Sequence, residues 1–236
     1  MNRTVAFGEL VNATFEEVST NRAIVLIYLA IAVPVDVLAS LFDDTKGVDV
    51  FGVAVDVALP IADLGVGLLT GFGAFVIAVV LNYWLYAALL ARQPAPAFRR
   101  FWAYVLVSVL SIIVIVLASL ALVIPGIIVA VRWAPLIPAL LARDEPAMDS
   151  FGESWQMTSG SSWAIFGVAV VVIAVGLFLS LLFDLATAVA GGPDSLGAVF
   201  FDAAGGNVMA VLLTALAVAT FRSLADRNEE VAAVFE

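Results

Sequence analysis

The 236-residue chain contains no cysteine and no histidine. Without cysteine it has no disulfides, no thiolate metal ligands and no thiol nucleophiles, and no redox compartment is indicated. Without histidine it lacks the side chain that most often serves as a general base and as a metal ligand. These two absences disfavour catalytic and metal-dependent functions, and we predict no cofactor.

Charged residues are also scarce, at 13% of the chain against about 25% in soluble domains. Hydrophobic residues make up 64%, and the mean hydropathy is +1.13. A soluble protein with so few charges would be unable to cover its surface, so the composition indicates a membrane protein. The net charge of −10 leaves no basic surface for nucleic acid, which we exclude as a partner.

Six apolar stretches are long enough to cross about 30 Å of hydrocarbon. The block 101–142 has twice the length of one span, and "VIPG" at 123–126 divides it because proline and glycine interrupt helices. The predicted fold is an all-α integral membrane protein with a single membrane domain over 1–236, its six transmembrane helices forming three hairpins. The predicted spans are about 23–42, 64–91, 101–123, 126–142, 163–189 and 207–224.

The basic residues are distributed unequally between the two sides of the predicted membrane. Lys46 alone falls in an outer loop, whereas eight arginines fall in the segments on the side of the termini: Arg3, Arg22, Arg92, Arg99, Arg100, Arg143, Arg222 and Arg227. Basic residues concentrate in cytoplasmic segments. We therefore expect both termini to be cytoplasmic, in the inner membrane of a prokaryote, since the Ala-, Val- and Asp-rich, lysine-poor composition is typical of GC-rich microbes.

Two short amphipathic helices are predicted outside the spans. In 5–19 the apolar residues follow three- and four-residue steps: Phe7, Leu10, Val11, Phe15 and Val18. This helix is expected to lie on the membrane surface, the alternative being an ordinary packed N-terminal helix.

The second amphipathic helix, 146–159, is bounded by a proline and a glycine. Its apolar side carries Phe151 and Trp155, and Trp163 follows shortly after it. We expect these three residues at the membrane interface, the two tryptophans in the headgroup zone. The alternative is a surface loop with one helical turn.

Arg132 interrupts the apolar stretch "IIVAVRWAPLIPALL" at 127–141. If 126–142 is one straight helix, Arg132 lies roughly 9 Å below the outer surface and Asp36 lies at roughly the same depth. Charges within a bilayer usually face the bundle interior and pair. We predict an ion pair with Asp36, with Asp184 as the competing partner. A structural lock, a contact with a lipid headgroup or other anion, and a transport pathway are all open as its role.

Asp49, Asp56 and Asp63 are spaced seven residues apart in the first outer loop. That spacing would align them on one face of a helix, and carboxylates are the ligands that hard cations prefer. Gly52 and Pro60 interrupt such a helix, so the set is a weak candidate for a metal site. The favoured interpretation is a solvated loop face.

The segment 124–167 resembles the glycerophosphoryl diester phosphodiesterase membrane-domain family of prokaryotic multispan proteins. The residues that carry the resemblance are Pro125, Gly126, Arg132, Trp133, Pro138, Ser154, Trp155, Thr158, Gly160, Trp163 and Gly167. It implies a six-span membrane fold. It does not imply phosphodiesterase activity, because that reaction belongs to a separate soluble domain in the fused members, and these 236 residues contain no such domain.

Three classes of function follow. The first is a non-enzymatic membrane protein that organises or contacts lipid or a partner protein, including a second copy of itself. The second is a small-solute or ion transporter or channel, for which the spans offer few polar residues beyond Asp36, Asn82, Arg132 and Asp184. The third is an intramembrane lipid-modifying enzyme, which the missing histidine and cysteine disfavour; no catalytic residue is predicted.

Overall fold

The computed structural model describes residues 5–41, 49–50, 53–54, 66–94, 96, 98–143, 146–189 and 196–235. These residues form the helices α1 (Phe7–Thr20), α2 (Arg22–Leu41), α3 (Val66–Ala91), α4 (Phe101–Ala121), α5 (Val123–Arg132), α6 (Leu136–Ala142), α7 (Asp149–Met157), α8 (Ser162–Val189) and α9 (Leu196–Phe235). They also form the two-residue strands β1 (Asp49–Val50) and β2 (Val53–Ala54), which pair antiparallel.

The described residues contain six helical stretches that are long and apolar enough to cross a membrane. Five of them lie in α2, α3, α4, α8 and α9, and the fourth in chain order combines α5 with α6. The predicted all-α multispan fold is therefore confirmed. The sixth stretch differs most from its predicted bounds, because α9 has 40 residues and extends beyond 207–224 in both directions.

Helix α9 is the centre of the bundle. In its most apolar window 67% of the residues are buried, against 11% for α4. It packs against α1, α2, α3, α6 and α8, and Ala215 and Val218 on it are fully buried. The many small side chains of "ALAVAT" at 215–220 let several helices approach one backbone. The other spans therefore pack around α9 and turn apolar side chains outward.

The turn between α4 and α5 lies at Leu122, whose backbone is extended (φ −162°, ψ 138°). The sequence had placed this turn at 123–126, but Pro125 and Gly126 lie within the first turns of α5. Proline is tolerated in the first turn of a helix, because the amide hydrogen that it lacks would have no intrahelical acceptor there. Gly126 packs directly against Ser119, so the two residues bring α4 and α5 into close contact.

The prediction of one straight helix over 126–142 is wrong, because the chain breaks between α5 and α6 at Trp133–Pro135. Pro135 is the physical cause, since its ring has no amide hydrogen and would clash with the carbonyl of the residue four positions earlier in a continuous helix. Arg132 is therefore the last residue of α5 and lies at the break in the stretch that combines α5 with α6.

The first helix and the last helix meet at one end of the bundle. Glu17 on α1 forms an ion pair with Arg222 on α9, and Arg222 also bonds to the end of α3. Arg100, just before α4, bonds to the carbonyl oxygens of Leu140 and Arg143 at the end of α6. We call this end of the bundle, where Arg22, Arg92, Arg99, Arg100, Arg143 and Arg222 lie, the arginine end.

We expect Gly126→Ala to destabilise the hairpin of α4 and α5. A Cβ at this position would come within 2.9 Å of Ser119 Cα, which is backbone, so that the two helices would have to separate. The expected cost is about 1–3 kcal/mol, measured as a lower melting temperature in detergent. Gly71→Ala on α3 is the control, because nothing lies within 4 Å of that position. Equal melting temperatures for the two variants would contradict the close contact.

Candidate functional site

Arg132 contacts helix α7. Its guanidinium carbon lies 5.2 Å from the centre of the Trp155 ring, and Nη1 donates a hydrogen bond to the Trp155 carbonyl oxygen at 3.2 Å. The Arg132 carbonyl oxygen in turn accepts hydrogen bonds from the hydroxyls of Ser154 (2.9 Å) and Thr158 (3.3 Å). The Arg132 carbonyl oxygen, left without an intrahelical partner by the break after α5, is thus hydrogen-bonded to Ser154 and Thr158. These contacts hold the Arg132 guanidinium over the Trp155 ring.

The predicted ion pair between Arg132 and Asp36 is wrong. Asp36 on α2 instead accepts a hydrogen bond of 2.6 Å from Asn207 Nδ2 on α9. Asn207 is buried and also donates to its own helix at Ala203. Asp36 therefore contributes to the contact between α2 and α9, and Arg132 faces another part of the protein.

Asp184 is not the partner of Arg132 either. Thr158, which bonds to Arg132, lies four residues before α8 begins, whereas Asp184 lies 22 residues after Ser162. At 1.5 Å per residue, Ser162 and Asp184 are separated by about 33 Å along α8. Asp184 is exposed. Glu153 on α7 forms an ion pair with Arg143, so Arg132, which contacts α7, lies near the arginine end of the bundle.

Helix α7 and the residue that follows it turn their hydroxyl side chains inward. Ser150, Ser154 and Thr158 are buried, whereas Trp155 is 42% exposed. Trp163, at the start of α8, is 85% exposed. Phe151 differs from the prediction, because its ring packs edge-on against Trp133 at 4.8 Å and so faces the protein. Placement of the two exposed tryptophans in the headgroup zone stays a prediction.

Helix α1 is packed against α8 and α9. Its buried face is formed by Leu10, Thr14 and Glu17, whereas Phe7 and Phe15 from the predicted apolar face are exposed. The buried face differs from the predicted apolar face because the positive charge of Arg222 attracts Glu17 toward the bundle. On its buried face α1 is thus an ordinary packed helix, and contact of its exposed phenylalanines with lipid stays a prediction.

The ion pair of Glu17 and Arg222 is part of a buried network that sequence analysis missed. Arg222 Nη1 donates to Glu17 Oε2 at 2.5 Å, and Nη2 donates to the carbonyl oxygens of Leu89 (2.9 Å) and Leu90 (3.1 Å). Asn21 donates to Glu17 Oε1 at 2.8 Å. A signal was present in the sequence, because Glu17 lies seven residues after Leu10 and so falls on the same helix face.

A cleft of about 460 Å³ opens at the arginine end, between the ends of α3 and α6, the Phe221–Arg222 part of α9 and the loop before α4. We call it the arginine cleft; its lining residues include Tyr83, Arg99, Arg100, Phe221 and Arg222. A second cleft of about 300 Å³ lies on the opposite side of Arg222, between α1 and α9. That second cleft is lined by the acids Glu16, Glu17 and Asp226 as well as by Arg92, so that Arg222 separates an acidic cleft from a basic one.

Of the three aspartates considered as a weak metal site, Asp49 is described, and it does not lie in a helix. Asp49 begins β1 and so lies in a strand, whereas Asp56 and Asp63 lie outside the described residues. Within the ranges that the structure describes, no three acidic side chains are grouped closely enough to hold a metal ion. Asn82, considered for a transport path, donates back to Ala78 on its own helix.

Comparison with known proteins identifies no relative: no family model, no curated protein and no solved structure matches the chain. The resemblance to the glycerophosphoryl diester phosphodiesterase membrane-domain family therefore stays a prediction.

We expect Glu17→Gln to destabilise the protein strongly. Glu17 is 6% exposed, and its loss leaves the Arg222 guanidinium without a compensating charge. Breaking such a pair costs about 3 kcal/mol, measured as a lower melting temperature in detergent. Glu16→Gln is the matched control, because Glu16 is exposed and should change stability by less than about 0.5 kcal/mol. Indistinguishable melting temperatures for the two variants would refute a stabilising role of the ion pair.

We expect Asp36→Ala to lower the melting temperature and Asp36→Asn to leave it nearly unchanged. Asparagine retains an oxygen that can accept the hydrogen bond from Asn207, whereas alanine removes it. The loss is expected to be about 0.6–1.7 kcal/mol, as for other hydrogen bonds between membrane helices. If Asp36→Asn is as unstable as Asp36→Ala, the carboxylate charge itself is required, and the hydrogen bond from Asn207 does not account for the role of Asp36.

Proposed function

We propose that this chain is a non-enzymatic multi-pass protein of a prokaryotic cytoplasmic membrane that contacts anionic phospholipid through Arg132. The supporting observation is the environment of the Arg132 guanidinium. Within the described parts of the chain Arg132 pairs with no carboxylate, and its polar contact is the Trp155 carbonyl oxygen. A guanidinium at the end of an apolar helix requires an anionic companion, and the lipid phosphate is the anion that a membrane supplies.

The setting of Arg132 fits a phosphate better than it fits water alone. A guanidinium carries five N–H donors, and the bond to Trp155 uses a donor on Nη1. The Trp155 ring holds the guanidinium plane by a cation–π contact. Trp155 and Trp163 are both exposed, and tryptophan is enriched at the level of the headgroups.

The orientation of the protein follows from the same end of the bundle. Glu17 and Arg222 bring the N-terminal helix and the end of the last span together, which supports placing both termini on one side of the membrane. Basic residues concentrate on the cytoplasmic side of membrane proteins. We infer that the arginine end faces the cytoplasm, and that Arg132 contacts lipids of the cytoplasmic leaflet.

The proposal predicts that Arg132→Gln loses bound anionic phospholipid. A charged hydrogen bond contributes about 1.5–3 kcal/mol, so the amount retained should fall about tenfold or more. Native mass spectrometry and phosphorus analysis of the protein purified in mild detergent would measure it. The fold should survive, because Arg132 joins no ion pair between helices in the described residues.

The matched control is Arg22→Gln, which removes one exposed arginine from the same end of the bundle without touching α7. This variant should retain as much phospholipid as the unchanged protein. Trp155→Ala should lie between the two, because the cation–π contact is lost while the charge remains. If Arg132→Gln and Arg22→Gln retain equal amounts, Arg132 is not a lipid contact.

A further inference from the structure

The arginine cleft has a composition unlike the rest of the protein. The chain carries a net charge of −10, yet the described residues that line this cleft include Arg99, Arg100 and Arg222 and no acid. We propose that the arginine cleft is a second anion site, separate from Arg132, that binds a phosphate monoester. The phosphate belongs either to a lipid headgroup or to a soluble phosphorylated compound, since both present the same dianion.

Two of the three guanidinium groups are held in place before any ligand arrives. Arg100 Nη1 donates to the carbonyl oxygens of Leu140 and Arg143, and Arg222 is fixed by Glu17 and by two carbonyl oxygens at the end of α3. Fixed side chains lose little conformational entropy on binding, so more of the interaction energy appears as affinity. The planar fork of arginine also matches two phosphate oxygens at once.

Arg99 supplies the third group. It is exposed, and it makes no ion pair within the described parts of the chain. Its guanidinium is therefore available to close over a bound anion. The Tyr83 hydroxyl also lines the cleft and lies 3.4 Å from the Arg100 backbone nitrogen.

The size of the cleft and its surroundings indicate the class of ligand. A volume of about 460 Å³ is in the range of small-molecule sites and exceeds what a bare phosphate fills. Apolar side chains, among them Leu90, Leu141 and Phe221, form the remaining wall. Beside the cleft, Phe98 and Trp102 are 52% and 80% exposed, as expected of residues that meet the membrane interface.

Of the two clefts that border Arg222, the arginine cleft is the more favourable for an anion. The cleft on its opposite side contains Glu16, Glu17 and Asp226, which repel a phosphate. Glu17 there compensates part of the Arg222 charge, whereas Arg99 on the side of the arginine cleft makes no ion pair within the described residues. The two clefts thus differ in sign although they share one side chain.

The test compares Arg99→Gln with the unchanged full-length protein and with Arg22→Gln, an exposed arginine outside the cleft. One arm titrates inorganic phosphate into the purified protein at constant ionic strength by calorimetry. The other arm measures retention of phosphatidic acid, in nanodiscs of phosphatidylcholine, by native mass spectrometry. We expect Arg99→Gln to weaken binding about tenfold in at least one arm, Arg22→Gln to leave it unchanged, and Arg99→Lys to be intermediate.

Each outcome has a definite meaning. A loss confined to phosphatidic acid identifies a lipid headgroup as the ligand, and a loss of inorganic phosphate binding identifies a soluble phosphorylated ligand. Absence of binding in both arms, or equal binding by Arg99→Gln and Arg22→Gln, overturns the proposal. Because Arg132 does not line this cleft, Arg132→Gln should bind phosphate normally, and the two proposals fail independently.

Discussion

A buried positive charge on the central helix is the constraint on which the arrangement at the arginine end depends. Arg222 lies on α9 with 23% of its side chain exposed, and a charge that is largely removed from water must be paired and hydrogen-bonded. Its requirements are met by Glu17 on α1 and by two carbonyl oxygens at the end of α3. One side chain thereby connects the N-terminal helix, the second span and the last span.

The arginines of this protein satisfy their charge in two different ways. Arg222 and Arg143 pair with the carboxylates of Glu17 and Glu153, so they join helices. Arg132 lies over an aromatic ring and bonds to a backbone carbonyl, which orients the guanidinium without neutralising it. The first arrangement stabilises the fold, and the second leaves the charge of Arg132 for an external anion, which is why the proposed function centres on this arginine.

Much of the fold could be predicted from the sequence, because hydrocarbon requires long apolar helices and each span records that requirement locally. The predicted bounds of α2, α3, α4 and α8 lie within a few residues of those in the structure. Far less of the candidate site could be predicted. The depth predicted for Arg132 assumed a straight helix. In the structure the helix breaks at Trp133–Pro135, and Arg132 contacts α7 near the arginine end.

The sequence by itself determined that the protein is an all-α chain with six stretches able to cross a membrane, because hydropathy and length are properties of each segment alone. Only the tertiary structure decided which charges meet, because partners such as Glu17 and Arg222 are 205 residues apart and no local pattern encodes their contact. Asp36 and Arg132 were predicted to lie at similar depths, but a similar depth does not determine which way each helix faces. Asp36 and Arg132 therefore have different neighbours, and the arginine cleft exists only where four separate segments converge.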